Sequence, residues 1–175
     1  MREQPLAVSS DAYYFEKDKS DSVLVMGVGN YLMGDEGVGV HLIEELYKTK
    51  LPDHIDLLDG GTGGFLLLNY FETYPNIIIV DATMDGKAEG TISLIKPRFA
   101  SDFPSALSVH DVGLKDMIES VFLMEKIPEL YLFTVSIENM TPMEVGLSPQ
   151  VRQSIPGLIE QIQLLSEQIT SKALI

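Results

Sequence analysis

The chain has 175 residues, 45% hydrophobic and 22% charged, which suits one domain with a sizeable core. Its formal net charge of −14 argues against a nucleic-acid backbone or an anionic membrane as partner, since both need clustered Lys and Arg. The absence of cysteine excludes disulfides, thiolate metal sites and a cysteine nucleophile.

Residues 1–21 are polar and include the charged run EKDKSDS, so they read as a mobile N-terminal extension with a short ordered piece at AYYF. They lack the apolar core of a signal peptide, and no later apolar run reaches membrane-spanning length, so a soluble cytoplasmic protein is expected. Residues 22–175 read as a single α/β domain. SVLVMGVG (22–29) is an apolar, β-branched run and predicts a buried strand. Over 37–49, Val38, Leu42 and Leu46, with Ile43 and Tyr47, recur at helical spacing. IDLLD (55–59) predicts a second strand, GGTGG turns the chain, and 63–74 reads as a helix. NIIIVDA (76–82) predicts the central strand, followed by the turn DGKAEG and a strand TISLI (91–95). A helix is expected over 111–123, with Val112, Leu114, Met117, Ile118 and Val121 inward, and a strand over 129–137. Ser148 and Pro149 mark the N-cap and first position of a last helix. Pro156-Gly157 should kink or split it, and Leu158, Ile162, Leu165 and Ile169 give it one apolar face.

Strands alternating with helices predict a three-layer α/β sandwich: a mostly parallel, twisted sheet of about five strands with helices on both faces. DGKAEG is too short for a helical crossover, so one antiparallel pair is expected. Ligands in such sheets bind beyond the carboxyl ends of the strands. The first strand leads there to Asp35-Glu36, the second ends on Asp59, the third on Asp81, and His110 precedes the helix at 111–123.

The first strand exit resembles a dinucleotide fingerprint that fails. Gly27-x-Gly29 is followed by Asn30, Tyr31 and Leu32, and Gly34 comes too late. Asp35 and Glu36 instead fill the place at a helix N-terminus where a phosphate would bind. Such an edge suits a cation. Glu36, Asp81 and His110 together would form an N/O ligand set fit for nickel, zinc or iron(II). Each residue also has a plain structural role open to it. Glu36 could favour the helix dipole, Asp35 could cap the helix, Asp59 could organise a turn, and Gly27, Gly29 and Gly34 could serve turn geometry. An Asp closing an apolar strand is more telling than a surface Asp, because its burial is costly without a partner. His41 lies inside a helix and His54 in a polar turn, so neither competes as a ligand.

The ordered motifs VMGVGNYLMGDEGVGV, LLDGGTGG, IIIVDA, SVHDVGL and GLSPQV resemble the maturation endopeptidases of nickel–iron hydrogenases, over roughly residues 23 to 170. The resemblance implies an α/β sandwich that cleaves a C-terminal extension from the hydrogenase large-subunit precursor. It implies metal contact by Glu36, Asp81 and His110, with Asp59 an acidic position near the site. It also implies that the metal is nickel already held by the substrate. The general base stays open between Glu36 and Asp59. The long lead-in before the first strand departs from the short start usual in the family. Two other readings compete: a non-catalytic metal-delivery or checkpoint module with the same ligands, and a nucleotide-binding oxidoreductase, which the broken glycine spacing disfavours. The absence of a G-x-S-x-G elbow argues against a serine protease.

Overall fold

Five apolar runs form the strands of one sheet, β1 (Val23–Val28), β2 (Ile55–Gly61), β3 (Asn76–Thr83), β4 (Ile92–Ile95) and β5 (Glu129–Ser136), in a computed structural model that describes residues 19, 21–104 and 112–173. The strand order is β2-β1-β3-β5-β4, and every pairing is parallel except β4 with β5. Among the described residues, four α-helices complete the fold: α1 (Val38–Leu46), α2 (Leu68–Thr73), α3 (Val112–Val121) and α4 (Pro149–Ala173).

Strand periodicity divides the core into two layers. Val23 and Val25 of β1, Ile78 and Val80 of β3, and Phe133 and Val135 of β5 pack against Val38, Leu42 and Leu46 of α1 and Leu158 and Ile162 of α4. The alternate residues, Leu24 and Met26, Ile77 and Ile79, and Leu130 and Leu132, pack against Phe71 of α2 and Met117, Ile118 and Val121 of α3. Both faces of the sheet are thus covered, as a parallel sheet requires. At roughly 25 cal/mol per Å² of apolar area removed from water, these layers are the main source of stability.

The expected antiparallel pair is present, with a partner other than the preceding strand. β5 inserts between β3 and β4, so the short turn after β3 steps over the place that β5 fills. Burial explains the order. Ile77 to Val80 are each 0% exposed, which demands a central position, whereas the four residues of β4 are half-buried or exposed and suit an edge.

Three further expectations are refined. Tyr47 caps α1 and is exposed, so the inward stripe ends at Leu46. The segment after β2 begins as a 3₁₀ turn (Gly64–Leu67) before α2. α4 runs unsplit through Pro156. Its start matches the sequence reading, with Pro149 first and the Ser148 hydroxyl accepting the Val151 N–H at 3.3 Å. Leu158, Ile162 and Ile169 are buried on its apolar face, with Leu165 packed beside them.

Of the N-terminal extension, Lys19 is held by the Asp56 carboxylate at 2.7 Å and stands over the Tyr74 ring. Residues 1–18 and 20 lie outside the described residues.

Candidate active site

The strand order reverses between β1 and β3, since the chain leaves β1 for β2 on one side and β3 occupies the other. Sheets of this kind bind ligands at that seam. α1 starts directly above it. A Cβ at Gly39 would stand 2.4 Å from both Val28 O and Val80 O, so only glycine lets the helix sit this close to the two strands. Gly27 serves the same approach from below, where a Cβ would be 2.0 Å from Gly39 O. Its role is therefore helix–strand packing and not the turn expected from sequence, while Gly29 (φ +132°) and Gly34 (φ +62°) do hold turn conformations.

Between β1 and α1, residues Gly34–Gly37 form a 3₁₀ turn that touches β3. It carries Glu36, 0% exposed, whose Oε2 accepts the Asn30 backbone N–H. Asp81, also 0% exposed, lies in β3, and its Oδ1 accepts the Ala82 N–H at 2.7 Å. Asp81 alternates with Val80 and Ala82 and shares the face of Ile77 and Ile79, the one covered by α2 and α3. Two buried carboxylates thus flank the seam at one edge of the sheet. Burying like charges is costly, and a bound cation would offset that cost. The donors fit a divalent ion that accepts oxygen ligands.

His110 lies outside the described residues. Among the described residues no group of three or more His, Asp or Glu gathers around a common centre. β2 runs on to Gly61, two residues past the end expected at Asp59, and Asp59 is exposed, with its Oδ1 accepting the Gly61 N–H at 3.0 Å. It has the turn-forming role, and it also lines an open cleft with Gly29, Asn30, Tyr31, Glu44 and Thr62. His41 stacks on Tyr31 with ring centroids 4.6 Å apart.

Asp35 does not cap the turn it opens. Its Oδ1 instead accepts the Ser148 N–H at 2.6 Å, at the start of α4, and the Ser148 hydroxyl lies 3.1 Å from Glu89 Oε1. Burial pushes the Glu89 carboxyl above its ordinary range. The Ser148 hydroxyl opposes the rise, and Asp35 and Glu138 add to it. This network escapes sequence reading because its members come from three separate segments. After β1 the Asn30 N–H, a donor that a phosphate could use, is taken by the Glu36 carboxylate.

The profile of the hydrogenase maturation protease family HycI matches residues 40–164, more than half of the chain. The chain belongs to the hydrogenase maturation protease family. As a family member it is a hydrolase. The protease is 35% identical over 144 residues to the hydrogenase 2 maturation protease of Escherichia coli (strain K12), covering 80% of this chain and 87% of that protein. It is 32% identical over 157 residues to the hydrogenase expression/formation protein HupD of Bradyrhizobium diazoefficiens, covering 85% of this chain and 80% of that one. Among solved structures, the hydrogenase maturating endopeptidase HybD from E. coli superposes with a TM-score of 0.75 at 33% identity, over 84% of this chain and 93% of that one. Among the described residues, no helix is long and apolar enough to cross a membrane.

Proposed function

We propose that this protease removes the C-terminal extension of a nickel–iron hydrogenase large-subunit precursor in the cytoplasm, and that it reads nickel already bound by that precursor. The observation that carries the reading is the pair of fully buried carboxylates, Glu36 and Asp81, at the β1–β3 seam of a hydrogenase maturation protease. His110 would complete the ligand set.

The substrate's nickel would supply Lewis acidity toward the scissile carbonyl or a water. The protein's own contribution is to hold the two oxygen ligands rigidly. The Asn30 N–H fixes Glu36, and the β-ladder fixes the backbone of Asp81, which pairs with Thr134. The uptake of a proton falls to Glu36 or Asp59, of which Asp59 is the exposed one, near the end of the neighbouring strand. A set of two carboxylates and one imidazole, without thiolate, holds nickel weakly by itself, because selectivity follows ligand type and geometry. A precursor that brings nickel on its own cysteines completes the coordination, so recognition and cleavage become one event.

The test is to pass the enzyme over a chelator and incubate it with empty and with nickel-loaded precursor. A shortened product is expected from the loaded precursor alone. Efficient cutting of the empty precursor would refute nickel as the signal. Binding of loaded precursor without cutting would favour a checkpoint module.

A further inference from the structure

The loop after β5 is tied to the turn that carries Glu36. Met33 and Glu144 form a parallel β-bridge, the Gly34 N–H reaches Glu144 O at 2.9 Å, and the Thr141 N–H reaches Met33 O at 3.4 Å. The loop's far end, at Ser148, is held by Asp35. Both anchors therefore sit at the start of the Gly34–Gly37 turn, within three residues of Glu36.

At its tip the loop makes a tight turn. The Glu144 N–H returns to Thr141 O at 3.3 Å, which places Pro142 and Met143 at the two central positions. Proline first and a positive φ second is the type II pattern, and the second position favours glycine. Here it is Met143, with φ +62°, and Met143 is the one described non-glycine residue with positive φ. The side chain gains no burial from this strain, since it is 85% exposed. Two more exposed apolar residues flank the bridge in sequence: Val145, 57% exposed, follows Glu144, and Leu32, 48% exposed, precedes Met33. Backbone strain that holds an apolar side chain in solvent runs against folding and points to a use.

We propose that Met143, with Val145 and Leu32, is a docking surface for an apolar segment of the precursor beside the scissile bond. This rests on the processing reading above. The occupant follows from continuity with the candidate site: the loop is bonded to the turn that bears Glu36, so whatever lies on Met143 lies beside that edge. An unbranched thioether side chain adapts to varied apolar partners. The strain fixes where it stands, so the segment is aligned before the buried carboxylates engage the substrate's metal.

The experiment compares wild type, Met143→Gly, Met143→Asp and Met143→Leu, reading KM and kcat on nickel-loaded precursor, precursor affinity and the thermal midpoint. Glycine fits the turn, so Met143→Gly should melt at the same or a higher temperature while KM rises about tenfold and kcat stays within about twofold. Met143→Asp should raise KM further, and Met143→Leu should restore it. A merely structural methionine would give the opposite signs for Met143→Gly. An unchanged KM and affinity in both Met143→Gly and Met143→Asp overturns the proposal. So does a concentration-dependent dimer that Met143→Asp dissolves with KM unchanged, which would assign the surface to self-association. If wild type binds but does not cut, and binding still depends on Met143, the docking surface stands and the processing reading fails.

Discussion

Asp35 accepts the Ser148 backbone N–H at 2.6 Å across 113 residues of chain, joining the turn after β1 to the first residue of the last helix's cap. Asp35→Ala leaves that part-buried donor without its partner and should cost about 1 kcal/mol. Asp35→Asn keeps an acceptor oxygen and should cost less than half as much. Denaturant midpoints at constant m-value decide the point. Equal losses for the two variants would mean that charge, and not the accepted hydrogen bond, is what matters.

The two buried carboxylates should be separable from the fold. Glu36→Gln and Asp81→Asn are isosteric, and the apolar layers supply most of the stability. Each should lower the processing rate at least about 100-fold, equivalent to roughly 2.7 kcal/mol of barrier. His110→Ala should do the same, and His41→Ala, whose ring packs on Tyr31 and lies 3.4 Å from the Glu44 carboxylate, should process normally. Rates on nickel-loaded precursor, with circular dichroism as the folding control, make the check. Full activity in Asp81→Asn would remove Asp81 from the site.

Gly39 should be intolerant of a single methyl. A Cβ there would lie 2.4 Å from two backbone oxygens, Val28 O and Val80 O, which belong to central strands and cannot yield. Gly39→Ala is therefore expected to destabilise by about 1–3 kcal/mol, despite alanine's better helix propensity. It should also slow processing, because α1 would move away from the seam and carry Glu36 with it. A thermal midpoint at or above wild type would contradict the packing described.

Glu89 gives a dependence on pH. Its folded pKa is raised, so its contribution to stability is fully present below the unfolded value of about 4.3 and is lost as pH rises through the folded value. Above that, the ionised carboxylate faces Asp35 and Glu138. Glu89→Gln keeps an oxygen for the Ser148 hydroxyl and carries no charge. It should melt at a higher temperature than wild type at pH 7, with the difference closing below about pH 4. Thermal scans across pH 4–8 test this, and a constant difference would assign the effect to something other than ionisation.

Much of this molecule follows from local physical chemistry. Apolar runs with β-branched residues gave five strands, helical spacing gave the buried stripes of α1 and α4, and Ser148-Pro149 marked where α4 begins. Asp81 stood out because an ionisable residue near the end of an apolar strand is costly to bury without a partner, and it is 0% exposed. These features depend on side-chain period and on residues a few positions apart, which the sequence displays directly. Tertiary structure alone decided the rest. β4 joined β5 because β3 buries most when flanked on both sides, a comparison among segments that no one segment contains. Gly27 became a contact surface for Gly39 only once α1 lay over the seam. Asp35 found Ser148, and the Met143 loop found the Glu36 turn, because the sheet brings the ends of β1 and β5 to the same edge although more than a hundred residues separate them along the chain. Pairings of that kind are set by global burial and closure, and the local pattern carries no trace of them.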